Sequence, residues 1–143
     1  MRPHIAAVLD TNVLVSALMS KDGIPAKVYN LIHVGCLLPH YCDEIIDEYI
    51  DVLNRPKLGI SPSEVDDLVW LFVKRGQKVN PPKSSTLLPD EDDRIFYDTA
   101  LLSSAILITG NHRHFPQEPF IMTPRNFYET LVVSGSGFDA NHV

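Results

Sequence analysis

The feature that most narrows what this chain can fold into is its regular exchange between short apolar runs and longer segments of helical period. IAAVL at residues 5–9 is the kind of run that fills a strand buried on both faces. Helices are predicted over 13–19 and 26–34, the second ended by Gly35, and a strand over 36–39. An amphipathic helix over 41–53 stops at Asn54-Arg55-Pro56, because proline lacks the donor that a helix interior needs. Ser61-Pro62-Ser63-Glu64 reads as a helix start, with Ser61 as the cap and Pro62 in first position, and that helix runs to Arg75 before Gly76. A strand at 77–80, a loop at 81–88, a helix from Asp90 to about Ser104, strands at 105–108 and 120–122 and a helix at 124–132 complete the series. Strands alternating with helices signal an α/β domain with a parallel sheet covered on both faces. Ligands of such sheets bind beyond the carboxyl ends of the strands, which is where the functional residues are to be sought.

At 143 residues with 45% hydrophobic content, the chain suits one domain over residues 1–133, followed by a small, polar, flexible tail at 134–143. A net charge of −6 argues against holding nucleic acid by bulk electrostatics, though not against an enzyme using local basic groups and bridging cations. Cys36 and Cys42 match no zinc or redox spacing and are expected to be reduced thiols. No apolar run approaches a membrane span, and Met1-Arg2-Pro3-His4 leads straight into the first strand without the pattern of a signal peptide. The expected compartment is the cytoplasm.

Three acidic features converge on this sheet edge. Asp10 ends the first strand, and alone it reads equally well as a helix cap. On the wheel of the helix over 41–53, Ile45, Ile46, Tyr49, Ile50, Val52 and Leu53 share one apolar arc, while Glu44, Asp47 and Asp51 face solvent. Glu48 lies about 40° beyond Val52, at the border between core and water, where a carboxylate either reaches a cleft or joins the solvated face. Asp90-Glu91-Asp92-Asp93 opens a helix, and one cap with one or two first-turn acids would account for part of it. Four acids in a row also repel one another, a cost that a bound cation relieves, and Asp93 is the first choice for that role. Oxygen-only donors suit Mg²⁺ or Mn²⁺. His112 and His114, with no third partner, are poor zinc evidence and are placed at the rim.

These pieces occur in one order: Asp10-Thr11-Asn12 after a strand, Glu48 before Arg55-Pro56-Lys57, Asp90 to Asp93 before a helix, and Thr109-Gly110-Asn111 after a second strand. In that order they resemble the PIN-domain family, over roughly residues 5–132, and within it the branch of toxins from toxin–antitoxin pairs. The resemblance implies a three-layer α/β/α sandwich with a central, mostly parallel sheet, and a Mg²⁺- or Mn²⁺-dependent endoribonuclease. It implies Asp10, Glu48 and Asp93 as catalytic metal-site residues, with Asp90 and Asp92 assisting. RNA is the implied substrate, with an antitoxin protein and a homodimer as partners. The family's fourth acid, after Thr-Gly, is Asn111 here, which leaves the second metal open.

The implied reaction is phosphodiester hydrolysis by a metal-activated water. Thr11, Asn12 and Thr109 would orient Asp10 and its neighbours or serve as plain caps, and Asn111 could orient a water. Arg55, Lys57 and Arg94 are the candidate phosphate contacts. A haloacid-dehalogenase-type phosphatase needs an acid where Asn12 stands, and a Rossmann nucleotide site needs glycines absent from this turn. The alternative of another class is a PIN-like scaffold without catalysis, binding RNA or protein.

Overall fold

In the computed structural model, which describes residues 4–133, the chain forms a five-stranded, wholly parallel sheet flanked by six helices, an α/β/α sandwich. The proposed tail at 134–143 lies outside the described residues. In chain order the elements are β1 Ile5–Leu9, α1 Thr11–Met19, α2 Ile24–His33, β2 Leu37–Tyr41, α3 Asp43–Leu53, α4 Pro62–Arg75, β3 Gln77–Lys78, α5 Arg94–Ser103, β4 Ile106–Ile108, β5 Ile121–Met122 and α6 Pro124–Val133. Short 3-10 turns stand at Pro56–Leu58, Glu91–Asp93 and His112–His114.

The strand order is β3-β2-β1-β4-β5. The chain builds outward from β1 through β2 to β3, then crosses back and lays β4 on the other side of β1. The register pairs Ala7 with Pro39 on one flank and with Ile106 on the other. The crevice between the carboxyl ends of β1 and β4 is therefore the topological switch point, the place where open α/β sheets bind ligands. Asp10 follows β1 there and Thr109 follows β4, with the Asp10 N–H on the Ile108 carbonyl at 2.9 Å.

β1 is central, and Ala7, Val8 and Leu9 are fully buried. α5 lies along β1, β2 and β4, α2 packs on α1 and α6, and α3 bridges α4 and α5. Tyr49 of α3 sits between the rings of Phe72 and Phe96 at 5.3 and 6.3 Å. Its hydroxyl donates to the Leu9 carbonyl and so pins α3 to the end of β1. Buried apolar contact dominates this anchoring, and the hydroxyl bond fixes its register.

α4 starts as its sequence dictates, with Pro62 in the first turn and the Glu64 N–H on Ser61 Oγ at 3.3 Å. Gly76 does more than end that helix. A Cβ there would stand 2.5 Å from the carbonyl oxygens of both Phe72 and Pro39, so only glycine lets the chain pass from α4 into β3 beside β2. Two expectations are corrected. Asp90 caps the 3-10 turn, through the Asp92 N–H at 3.0 Å, and the α-helix begins only at Arg94. Ile50 is not part of the buried arc of α3, being 40% exposed, because the arc is narrower than expected and centres on Ile45, Tyr49 and Leu53. Among the described residues no helix is long and apolar enough to cross a membrane.

Candidate active site

The switch point gathers carboxylates from three distant stretches of chain. Asp10 is 7% exposed. Although it precedes α1, its side chain makes no cap bond to the helix. It accepts instead from Thr109 Oγ1 at 2.8 Å and from Asn12 Nδ2 at 3.3 Å, both on Oδ2. Asn12 in turn accepts the Gly110 N–H at 3.0 Å, and Thr109 Oγ1 accepts the Asn111 N–H at 3.0 Å. The turns after β1 and β4 are thus stitched together around one carboxylate. Thr11 turns the other way and donates to Glu48 Oε2. Glu48 is half-buried, one residue before the anchored Tyr49, while Asp47 and Asp51 are exposed.

The run Asp90 to Asp93 divides its labour. Asp90 caps, and Glu91 pairs with Arg94. Asp92 is exposed, near enough to Glu48 for its charge to be felt. Asp93 turns into the site, where its Oδ2 is buried without a hydrogen bond and His114 Nδ1 stands 3.6 Å away.

The electrostatics follow from this crowding. Burial pushes the Asp10 carboxyl above its usual range, against the opposing pull of the Thr109 hydroxyl and the Thr11 backbone. Glu48 is raised by burial, with the Thr11 hydroxyl opposing, the charges of Asp10 and Asp92 adding, and Arg55 opposing. Asp93 is pushed up to about 6, by burial first and then by Asp10 and Asp90, against the pull of His114. Half-buried carboxylates within reach of the Asp10 charge form a site that favours a positive ion.

The donor chemistry and the orphaned Asp93 oxygen fit a hard divalent cation. Among the described residues, however, no group of three or more His, Cys, Asp and Glu side chains is arranged as a ready-made ligand set. Glu48 is held by Thr11, so the group suits a cation held partly through water.

The expected phosphate contacts fare differently. Arg55 is exposed, pairs with Asp51 at 3.3 Å and acts on Glu48. Lys57 is exposed in the 3-10 turn after α3. Arg94 is corrected: its side chain is 10% exposed and binds Glu91 twice at 2.7 Å, the Ser84 carbonyl at 2.9 Å and the Thr86 carbonyl at 2.6 Å. It straps the loop at 81–88 to α5, leaving no fork for phosphate. Asn111 is exposed beside the cluster, joined to it through Thr109. Nothing in the sequence signals the contact of His114 with Asp93, since no spacing rule links positions 21 apart across a helix, a strand and a turn.

A family model described as PIN domain matches residues 6–113. An uncharacterized protein of Methanocaldococcus jannaschii, MJ1680, is 32% identical over 110 residues, covering 75% of this chain and 71% of that protein.

Proposed function

We propose, from the premise that this chain belongs to the PIN-domain family, that it is a metal-dependent endoribonuclease acting at Asp10, Glu48 and Asp93. PIN domains are a nuclease-type fold, and their members are typically metal-dependent ribonucleases. The observation that carries the reading is the cluster itself: three carboxylates from separate elements meet at the switch point, the charge of Asp10 raises both Glu48 and Asp93, and an Asp93 oxygen is buried without a donor. A fold alone has no need of such crowding.

Asp10, Glu48 and Asp93 would hold Mg²⁺ or Mn²⁺, with Asp90 and Asp92 adding charge at the outer side. When bound, the cation supplies a Lewis acid that activates water and offsets charge on the phosphate. Thr109 and Asn12 keep Asp10 in one orientation, and Thr11 does the same for Glu48, so the carboxylates need little rearrangement to act. Arg55 and Lys57, exposed beyond α3, supply positive charge for the RNA backbone. A splayed single strand or loop enters such a crevice more readily than a duplex. The family branch suggests the toxin of a toxin–antitoxin pair, with an antitoxin as protein partner and a homodimer as the working form.

Incubation with a mixture of RNAs and Mn²⁺ tests the reading. Cleavage that is abolished by chelator and by Asp10→Asn supports it. Uncut RNA, with Mn²⁺ bound, would instead favour a binding scaffold.

A further inference from the structure

A cavity of about 700 Å³ lies between the first turn of α3, the end of β3 and the first turns of α5. Asp10, Glu48 and Asp93 do not line it, yet it adjoins them. Glu44 in its wall stands one helical turn before Glu48, about 6 Å along the axis, and Glu91 stands two residues before Asp93. Asp98 also lines it and is only 5% exposed. Its Oδ2 accepts the Ser84 N–H at 3.0 Å. Its Oδ1 is buried with no hydrogen bond, and Arg94 Nη1, at 4.0 Å, is too far to provide one.

A buried carboxylate oxygen without a donor is rare in a folded protein, because its lost hydration is not replaced. Where that oxygen belongs to a cavity-lining residue, the missing donor is most simply a ligand N–H. The other walls add to this. Val79, Pro81 and Ile95 give apolar surface for a flat ring. The exposed Lys83 brings positive charge to an opening where Lys78 is already paired with Asp43 at 3.0 Å and Glu44 and Glu91 are the other acids. The volume falls within the roughly 300–1,000 Å³ usual for small-molecule sites. A buried acceptor, apolar sides and Lys83 at the mouth complement a nucleotide with an amino edge, a ring and a phosphate.

We infer that this cavity is a base-binding subsite for RNA, receiving a splayed-out adenine, cytosine or guanine whose amino group donates to Asp98 Oδ1, with a phosphate near Lys83. The subsite rests on the ribonuclease reading and extends it to sequence preference: cleavage would favour RNA with an amino-bearing base beside the cut.

The test is binding without catalysis. AMP, CMP, GMP, UMP and ribose 5-phosphate are titrated into the full chain in EDTA and followed by amide NMR. The expected result is binding of at least one amino-bearing nucleotide at least about tenfold tighter than UMP and ribose 5-phosphate, with the Ser84 amide among the shifted signals. Asp98→Asn can keep its carbonyl on Ser84 and turn an NH₂ to the cavity, so it should abolish the preference over UMP. Should that variant not fold, Lys83→Ala in the exposed loop should weaken nucleotides and ribose 5-phosphate alike, by several-fold, and leave the order of bases unchanged. No binding, equal binding of ribose 5-phosphate and nucleotides, or shifts confined to Asp10 and its neighbours would overturn the subsite. Because no metal and no cleavage enter the measurement, its failure leaves the ribonuclease reading standing. Absent cleavage of any RNA would remove that reading even where nucleotides bind.

Discussion

Two acidic regions lie side by side at the start of α5, and they are built on opposite principles. Around Arg94, the charges are matched: Glu91 meets the guanidinium in a two-point pair, and the remaining donors close on the Ser84 and Thr86 carbonyls. Around Asp93, the carboxylates outnumber the positive charges that face them. Burial raises Asp10, Glu48 and Asp93, the charge of Asp10 adds to the rise of the other two, and the opposing groups are hydroxyls, an amide, the exposed Arg55 and His114 at 3.6 Å. A paired carboxylate stabilises the fold, whereas an unpaired buried one costs stability and is retained where a cation completes it. On the proposed reading, neighbouring residues of one acidic run serve structure and chemistry separately.

The sharpest way to break this contrast is to remove one charge from each side. Asp10→Asn should reduce Mn²⁺-dependent RNA cleavage by ~1,000-fold or more while raising the melting temperature of the metal-free protein, since it relieves repulsion. Arg94→Gln should do the reverse, lowering the melting temperature and exposing the loop at 81–88 to protease, with Mn²⁺ affinity nearly unchanged. If both variants behave alike in the two assays, the two regions are not distinct.

A smaller effect separates Glu48 from the other acids of α3. Glu48→Gln should cost about 100-fold in rate, as for other groups of a preorganised centre. Asp47→Asn and Asp51→Asn should cost less than about threefold, because both side chains face solvent. Equal losses in the three would contradict the placement of Glu48.

Smaller again is the gain expected at Asn111. Asn111→Asp adds a carboxylate beside Thr109 and Asp10 and should tighten Mn²⁺ binding about tenfold, equivalent to ~1.4 kcal/mol. Without metal the same charge adds repulsion, so the melting temperatures with and without Mn²⁺ should diverge further than in wild type. Unchanged temperatures in both states would mean that residue 111 does not face the cluster.

The gentlest probe is pH. A carboxyl whose folded value is raised, as for Asp93 from 3.8 to about 6, adds stability that is fully present below pH 3.8 and is lost as pH rises through about 6. The Asp93 contribution to metal-free stability should therefore fall between pH 4 and pH 6.5, and Mn²⁺ affinity should rise over the same interval. Asp93→Asn should remove this part of both slopes in thermal melts and Mn²⁺ titrations.

Much of the architecture was legible because its signals are local. IAAVL, Ser61-Pro62 and the Pro56 stop each specify an element through their own backbone chemistry, and the structure places strands and helices accordingly. The start of α5 was misread because an Asp cap looks the same before a 3-10 turn as before an α-helix. Arg94 was misread for a different reason. Its partners at Ser84 and Thr86 lie across an irregular loop, where no periodicity announces a contact. The same holds for Asp98 and Ser84, and for His114 and Asp93. Order along the chain identified Asp10, Glu48 and Asp93 as candidates and Thr11, Asn12 and Thr109 as groups that orient them. That Thr11 serves Glu48 while Asn12 and Thr109 serve Asp10 emerges only when α1 lies beside α3 and β1 beside β4.

The central claim is that the unmatched cluster holds a divalent cation, and calorimetric titration of Mn²⁺ into wild-type, Asp10→Asn and Asp90→Asn protein at pH 7 tests it most directly. The account predicts saturable binding to the wild type, weakened at least ~100-fold in Asp10→Asn and no more than about tenfold in Asp90→Asn, where the charge lost lies at the outer side. Absence of Mn²⁺ binding to the wild type, or undiminished binding to Asp10→Asn, would contradict it.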